Sequence, residues 1–504
     1  MVFFVFCHIL EGALLMDAFE LIQAVLAVPA AGSVLLILLG QQRIAVSRAI
    51  SVGVTGLMFL LSVRLAALTE LQGGFVQSAG LALQVDRIGA LLLLAFSGVA
   101  FAVSLFASQL LEKEINENSV SHYYSVFFLL LAGLMGTATV SDLLGMYLCL
   151  EVVMLTAAFL VAAKGDASAR QASAKYLVLN LCGSVLLLTG LIGIYRLTGQ
   201  SNLLKLGKAM PNAVALHSTS MRAFTALVVA GLAVKSALFP LHTWLPDAHG
   251  SSATPSSVVI SGLLVKSGIV FIIRFMGYVL PMEFIQALPL QEILLLMSGL
   301  AILGGSVMAL RQTDIKRMLA YSTVAQVGYI FLGLGLMAEK SLIGAVYHIL
   351  NHAVVKGMLV LAAGSIMKLT GRRRIADFAG VGRRFPLPMA VFTVGALSMI
   401  GVPPLSGFVS KWYLGLGALE AGMPVFVVVL LISSVLNALY YLPIVIAAFF
   451  RPGSNIEQHM ELPVSAKVAM VLLAVACVGL GLAAHIPVEF IRPAVQQFLM
   501  GGTF

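Results

Sequence analysis

The chain has 504 residues, of which 60% are hydrophobic and 10% charged. This balance excludes a soluble domain of that size and predicts a polytopic membrane protein. The net charge of +9 would suggest a nucleic-acid partner in a soluble chain, but here it follows from basic loops, so we expect no nucleic-acid partner.

The first residues do not predict a signal peptide. Residues 1–15 (MVFFVFCHILEGALL) are apolar but short, and they lack a basic n-region and a small-residue cleavage site. They form either an extra apolar turn or an upstream start. The sequence leaves open whether Met1 or Met16 is the true first residue.

The chain shows no signature of a bound cofactor or metal. Its four cysteines, Cys7, Cys149, Cys182 and Cys477, lack the spacing of a disulfide, zinc or iron–sulfur site. No glycine motif for a nucleotide follows a strand, and no soluble segment is long enough for a cofactor domain. We therefore expect no redox or hydrolytic centre in this chain, and its energy would come from a partner or an ion gradient.

Apolar runs that can cross a hydrocarbon layer of about 30 Å recur from end to end. They predict an all-α polytopic membrane protein of about fourteen transmembrane helices, in a single integral membrane domain over residues 1–504. The predicted segments are 18–40, 45–69, 86–111, 122–140, 142–163, 171–197, 222–246, 254–280, 287–310, 314–337, 341–369, 387–419, 423–450 and 464–485.

Basic residues cluster after the odd-numbered segments. The clusters are Arg43/Arg48, Lys164/Arg170/Lys175, Arg311/Lys316/Arg317, and Arg372–Arg373–Arg374 with Arg383/Arg384. The positive-inside rule then places these loops in the cytoplasm, and both termini on the non-cytoplasmic side of the cell's inner (plasma) membrane. Lys205, Lys208 and Arg222 oppose this pattern, because they fall on the outer side.

Two segments are predicted to be broken helices. Lys235 in 222–246 is followed by Pro240 and Pro246, and Lys411 in 387–419 follows Pro403–Pro404. Proline removes a backbone hydrogen bond, which is tolerated inside a span where the site lines a hydrated cavity. Two such helices, five apart, are typical of transporters with inverted repeats. We expect five-helix repeats over about 122–280 (helices 4–8) and 287–450 (helices 9–13).

Glu151 lies near the middle of the fifth segment. An ion pair at about 4 Å gains about 4 kcal/mol at an effective dielectric near 20, and moving one charge through about 150 mV costs roughly 3.5 kcal/mol. Making and breaking a pair between Glu151 and Lys235 could therefore gate a proton. The alternative is a static ion pair that fixes helix packing.

Lys266 lies in VISGLLVKSGIVF, with no acid within a helical turn. A local salt bridge is excluded, so we expect its partner to be another helix, a water or a proton. A buried lysine releases its proton more readily than an exposed one, which suits it to proton transfer.

Three polar residues follow the first break: His242, Asp247 and His249. They could form a polar inlet for protons. The alternative is a satisfied loop network that anchors the break.

His348, His352 and Lys356 recur at positions i, i+4 and i+8, which places them on one face of a helix. Imidazole titrates close to physiological pH, so this stripe can relay protons. The alternatives are packing histidines or a zinc site, although no third ligand has a recognisable spacing. Lys411 extends the file beyond the second break.

These residues carry a family resemblance. The stretches FPLHTWLPDAHGSSATPSSVVISGLLVKSG, HILNHAVVKG and GVPPLSGFVSKW resemble the antiporter-like subunits of respiratory complex I. The same superfamily includes the D-type subunits of Mrp cation/proton antiporters and the matching subunits of membrane-bound hydrogenases. The resemblance covers about residues 85–450.

The resemblance implies a role for each candidate residue. Glu151 and Lys235 match the pair that controls proton uptake, and Lys266 matches the central lysine. The other matches are His348, His352 and Lys356 with the central hydrophilic axis, and Lys411 with the proposed exit. Lys411 differs from the M-type and Glu151 from the N-type of complex I, and the chain ends too soon for the L-type. The Mrp D-type or hydrogenase type is therefore favoured.

We expect a proton-translocating subunit of a larger membrane complex, either a hydrogenase-like or complex I-like redox pump or an Mrp-type exchanger. Its partners would be other membrane subunits, the lipid bilayer and protons, with sodium left open. Two alternatives are a transport-inactive scaffold and a self-sufficient secondary cation/proton antiporter.

Overall fold

The chain is described from a computed structural model that covers residues 16–39, 44–77, 83–452 and 461–500. Within these ranges it is a bundle of helices with one two-stranded hairpin. Cys7, Arg43 and the segment that would decide between Met1 and Met16 as the start lie outside the described residues. The three described cysteines, Cys149, Cys182 and Cys477, are free thiols.

The first part of the bundle contains ten helices and the hairpin. The helices are α1 (Ala18–Leu39), α2 (Ile44–Leu71), α3 (Arg87–Leu110), α4 (Val120–Thr139), α5 (Leu143–Ala162), α6 (Ala167–Thr198), α7 (Leu203–Lys235), α8 (Leu245–Ser251), α9 (Thr254–Val259) and α10 (Val265–Tyr278). A π-helical turn, Ile260–Leu264, joins α9 to α10, and two 3-10 turns, Leu111–Lys113 and Glu117–Ser119, lie between α3 and α4. The strands β1 (Phe75–Gln77) and β2 (Gln84–Asp86) pair antiparallel.

The second part contains ten further helices. They are α11 (Met282–Gln286), α12 (Leu290–Leu310), α13 (Ile315–Leu336), α14 (Glu339–Thr370), α15 (Val381–Arg384), α16 (Pro386–Ile400), α17 (Ser406–Glu420), α18 (Val425–Phe450), α19 (Val464–Leu482) and α20 (His485–Leu499). A 3-10 turn, Ile375–Phe378, precedes α15.

The predicted membrane architecture is confirmed. Thirteen helical stretches in the described residues are long and apolar enough to cross a membrane, and they correspond to thirteen of the fourteen predicted segments. The remaining segment, 387–419, is divided into α16 and α17 by the break at residues 401–405. The inverted relation between 122–280 and 287–450 stays a prediction.

The first break begins earlier than the sequence predicts. Helix α7 ends at Lys235 rather than near residue 246, because Ala237 adopts a left-handed conformation with φ of 54°. Pro240 then lacks the N–H that a continuing helix would need. The chain forms turns until α8 begins at Leu245.

Helix α7 also starts earlier than predicted. Its first turns bury Leu203 and Leu206 and expose Lys205 and Lys208, and the backbone then leaves helical geometry at His217 (φ −134°, ψ 41°). The two lysines that oppose the charge rule therefore lie on the exposed face of an amphipathic stretch that precedes the span.

The centre of the bundle is formed by α9–α10, α13 and α14. The most apolar window of the α9–α10 stretch is 100% buried, and those of α13 and α14 are each 94% buried. The corresponding share is 28% for α18 and for α19, which lie at the periphery. Polar side chains on the three central elements are therefore shielded from lipid.

A buried charge cluster, which the all-α prediction missed, attaches the hairpin to the end of α10. The Arg274 guanidinium lies 3.7 Å from the Asp86 carboxylate and donates to the Val140 carbonyl oxygen at 2.7 Å. The Tyr278 hydroxyl donates to Asp86 at 2.6 Å. The hairpin was not predicted because its strands have three residues each and take their stability from these contacts.

The junction of α16 and α17 depends on a glycine. A Cβ atom at Gly407 would lie 1.8 Å from the Ser398 carbonyl oxygen.

We expect Gly407→Ala to lower the free energy of unfolding by roughly 2 kcal/mol through overpacking, seen as a lower thermal midpoint of the purified protein. Gly415 is the matched control, because a Cβ there would meet no described atom within 4 Å. Equal midpoints for Gly407→Ala and Gly415→Ala would contradict the close packing.

Candidate functional site

Glu151, Ser184 and Lys235 form a closed triangle of contacts where α5, α6 and α7 meet. Lys235 Nζ donates to Glu151 Oε1 at 3.0 Å and to Ser184 Oγ at 2.8 Å, and Ser184 Oγ lies 2.7 Å from Glu151 Oε1. The side chains of Lys235 and Glu151 are 5% and 19% exposed. The geometry thus contains the ion pair that the sequence suggested, and adds Ser184.

Sequence reasoning missed Ser184, although a signal was present. Ser184 and Asn180 are one helical turn apart on α6, and both are buried. Two polar residues at i and i+4 in an otherwise apolar span mark a face that meets another polar side chain.

Lys235 is the last residue of α7. Partial negative charge accumulates at the end of a helix, so the position favours a cation. The helix of Lys266 is in direct contact with it: a Cβ atom at Gly268 would lie 2.6 Å from Ser236 Oγ and 3.3 Å from Lys235 Cβ. The first broken helix therefore packs against the central element α10.

Lys266 is fully buried, and its partner differs from the expectation. Lys266 Nζ donates to the Ser261 carbonyl oxygen at 2.7 Å, within the π-helical turn that precedes α10. The expectation of a partner on another helix, a water or a proton was therefore wrong in excluding the local backbone. A carbonyl oxygen is a neutral acceptor, so the ammonium has no local counter-charge among the described residues.

The histidine stripe has the predicted arrangement on α14. The rings of His348 and His352 are stacked, with centroids 5.8 Å apart and planes 8° apart. His348 Nδ1 is 2.9 Å from Ser410 Oγ on α17. Both ring nitrogens of His352 lack a partner among the described residues. They can exchange hydrogen bonds with water or with a neighbouring ammonium.

Lys356 continues the stripe toward α13. Its Nζ donates to the Leu319 carbonyl oxygen at 2.7 Å and to Ser322 Oγ. His352 lies between Lys356 and the stacked His348 on α14, and the charge of Lys266 on α10 acts on it through the protein interior. The stripe therefore joins the central lysine of α10 to the second half of the bundle.

Lys411 closes the file at the second break. Its ammonium donates to the carbonyl oxygens of Met399 and Ile400 and to Ser434 Oγ, each at 2.9 Å. It also lies 5.3 Å from the centroid of the Tyr329 ring, a cation–π distance.

His242, Asp247 and His249 are not brought into one network. Asp247 pairs with Lys175 at 2.6 Å and with Arg317 at 3.3 Å, so it anchors the break to two basic loops. The His242 ring stacks on Phe239. His249 is fully buried, and neither of its ring nitrogens has a hydrogen-bond partner among the described residues. His242 precedes α8, whereas Asp247 and His249 lie on different faces of that helix, so the three side chains have different surroundings.

Lys316 was wrongly assigned to a cytoplasmic loop cluster. It is 1% exposed, and its Nζ donates to the Ser252 carbonyl oxygen at 2.7 Å and to Ser257 Oγ at 3.0 Å. Helix α13 begins at Ile315 with Asp314 as its cap, so its first turn directs Lys316 inward while Arg317 faces outward. The cap residue before an apolar run was the signal in the sequence.

Among the described residues, no cluster of metal ligands accompanies the histidines. Within the part of the chain that the structure describes, no three His, Cys, Asp or Glu side chains come together closely enough to hold a metal ion. The geometry therefore offers no third ligand for the zinc alternative at His348 and His352.

A family model and two relatives each match more than half of the chain. Residues 140–437 match the family described as NADH:quinone oxidoreductase/Mrp antiporter, TM. The chain is 38% identical to the N-type subunit of the NADH-quinone oxidoreductase of Desulforudis audaxviator, over 80% of this chain and 82% of that protein. It is 29% identical to the D-type subunit of the Na(+)/H(+) antiporter of Alkalihalophilus pseudofirmus, over 88% and 90%.

A solved structure shares the fold. A chain of the membrane-bound sulfane sulfur reductase, an archaeal respiratory membrane complex, superposes with a TM-score of 0.87 at 28% identity, covering 95% of this chain and 97% of its own length. Glu151 and Lys411 had favoured the Mrp D-type or the hydrogenase type. The greater identity to an N-type subunit does not support that narrower assignment.

The ion pair of Glu151 and Lys235 generates a stability prediction. Glu151→Gln or Lys235→Met alone leaves a buried charge without its partner, and we expect each to destabilise the protein by about 3 kcal/mol. The double variant should lose less than the sum, with a coupling free energy of about 1–3 kcal/mol. Thermal unfolding of the purified variants measures the cycle.

The control for this cycle is the half-exposed pair of Lys175 and Asp247. We expect its coupling free energy to stay below about 1 kcal/mol because solvent screens the charges. Additive effects at Glu151 and Lys235 would contradict a direct pair.

Proposed function

The chain belongs to the NADH:quinone oxidoreductase/Mrp antiporter membrane family, and on that premise we propose that it conducts protons across the bilayer as one subunit of a multisubunit complex. The observation that carries the proposal is the file of buried ammonium and imidazole groups through the centre of the bundle. Charged and polar groups at such depth are costly and are retained for ion transfer.

The proposed route begins at the pair of Glu151 and Lys235. When the pair forms, the carboxylate holds the proton on the lysine. When it opens, the proton is released toward Lys266, whose helix is in contact with Lys235 at Gly268. The energy of such a pair is comparable with that of moving one charge through the membrane potential.

The central part of the route is the stripe on α14. The charges of Lys266 and Lys356 both act on His352, whose stacked partner His348 contacts α17. Histidine can accept a proton on one ring nitrogen and give it up from the other, which suits a relay. Lys411 is the proposed last station.

The proposed setting is the plasma membrane, with the odd-numbered loops in the cytoplasm. Arg373 pairs with Asp314, and Lys175 and Arg317 share Asp247, so basic groups from three odd loops gather at one end of the bundle. This supports the orientation given by the positive-inside rule. The energy source would be a redox partner or an ion gradient handled by the neighbouring subunits.

Lys235→Ala tests the first step. We expect it to abolish proton translocation by the reconstituted complex, because the gate loses its transferable proton, while the complex still assembles. The measurement is quenching of a pH-sensitive dye inside proteoliposomes, with assembly checked by size-exclusion chromatography. Normal pumping by this variant would contradict the proposed route.

Lys266→Met separates conduction from a scaffold role. Methionine fills a similar volume without a proton, so we expect translocation to fall at least tenfold with little change in assembly. Lys467→Met, at an exposed lysine of α19, is the matched control and should pump normally. A scaffold role would instead keep transport in Lys266→Met, and exchange catalysed by the purified chain alone would favour a self-sufficient antiporter.

A further inference from the structure

Two backbone carbonyl groups at the end of α16 lack a backbone donor. In an α-helix, the carbonyl of residue i accepts from the N–H of residue i+4. For Met399 and Ile400 these positions are Pro403 and Pro404, which have no N–H. The carbonyl of Leu397, by contrast, accepts from the backbone N–H of Val402 at 3.0 Å. The double proline therefore exposes two adjacent oxygens.

A cation already occupies the space in front of these oxygens. The Lys411 ammonium donates to Met399 O, Ile400 O and Ser434 Oγ, all at 2.9 Å. We call these three oxygens the carbonyl cradle. Gly401 permits the approach, because a Cβ there would lie 3.0 Å from Lys411 Cδ.

The carbonyl cradle attracts positive charge without a carboxylate. Its two carbonyls lie at the C-terminal end of a fifteen-residue helix, where the helix dipole is negative. None of the ion pairs among the described residues includes Lys411. The cradle therefore holds one positive charge on neutral oxygens.

Few titratable groups face the cradle from the neighbouring helices. They are Tyr329 on α13, through its ring face, His348 on α14, through Ser410, and Tyr440 on α18, whose hydroxyl donates to Asn437 at 2.6 Å. Asn437 itself donates to Met399 O at 3.0 Å. Lys411 is therefore the group in this shell whose charge decides whether the cradle is filled.

The surroundings of Lys411 differ from those of the other lysines on the proposed route in exposure and in the number of contacting oxygens. Lys266 and Lys356 are 0% exposed, and contact one and two oxygens respectively. Lys411 is half-buried and contacts three, beside the exposed Pro403 and Pro404. These oxygens therefore lie at the edge of the packed core rather than inside it.

We propose that the carbonyl cradle is an alkali-cation site, at which a sodium ion and the Lys411 ammonium exclude each other. Hard cations take carbonyl and hydroxyl oxygens, and the ends of broken transmembrane helices supply them. In the exchange, Lys411 releases one proton and becomes a neutral amine, and one sodium ion takes its place on the oxygens. Both states carry one positive charge, so the local charge is unchanged.

The inference rests on the proposed function, since it names a second ion for the same route, but its test needs no turnover. Radioactive sodium binding to the purified complex is measured at equilibrium over a pH series, with choline holding the ionic strength constant. Loss of pumping and loss of sodium binding are thus separate results.

In the wild type, sodium affinity should rise up to about tenfold per pH unit, because each ion displaces one proton. Proton release into weakly buffered solution should approach one per sodium ion bound. Lys411→Ala should bind sodium independently of pH and without proton release. Lys467→Ala should behave as the wild type, and sodium sites on other subunits cancel in the comparison.

Ser434→Ala gives a second reading if Lys411→Ala fails to assemble. It removes one oxygen of the cradle and should weaken sodium binding at least threefold. Thr393→Val on α16, where the hydroxyl donates to the Met389 carbonyl oxygen, keeps all three oxygens and should not. Wild-type sodium affinity and proton release in Ser434→Ala would overturn the proposal. So would proton-coupled sodium binding that persists in Lys411→Ala. Repeating the series with lithium and potassium gives the selectivity of the site.

Discussion

The structure depends on how ammonium groups are satisfied where no bulk water is present. A lysine inside a bilayer needs oxygen acceptors, and the carbonyl groups of an intact helix already accept its own backbone hydrogen bonds. Each carbonyl oxygen can accept a second hydrogen bond, as Leu319 within α13 does from Lys356. Further acceptors lie where helices are interrupted: Lys411 uses the end of α16, and Lys316 uses the Ser252 carbonyl after α8. For Lys411 and Lys316, therefore, the interruption of a helix supplies the acceptors of the ammonium group. Among the buried lysines that the structure describes, only Lys235 forms an ion pair with a carboxylate, and it does so at the point proposed as the gate.

Several parts of this site could be predicted from the sequence because a single rule determined them. The spacing of His348, His352 and Lys356 is enough to place them on one helix face, and the stacked rings agree. Glu151 and Lys235 could be matched because each is a charge near the middle of an apolar segment. The prolines located both breaks to within a few residues.

Other parts depended on tertiary contacts that no local pattern specifies. Lys316 stands among basic residues in the sequence, and only the rotation of the first turn of α13 separates it from its exposed neighbours. The acceptor of Lys266 follows from a π-helical turn, which has no sequence signature here. Asp247 lies close to His249 in the chain yet faces two basic loops. The sequence indicated which polar side chains lie within the bundle more reliably than what each one touches.

Helix α14 runs without interruption for 32 residues, through the most buried part of the bundle. The groups on it consequently keep a fixed spacing of about 6 Å of rise between successive members. Helix α14 is therefore the continuous element of the route, whereas Lys235 and Lys411 lie beside the two breaks. A rearrangement at the breaks would change the distances at the two ends of the route and leave the spacing along α14 unchanged.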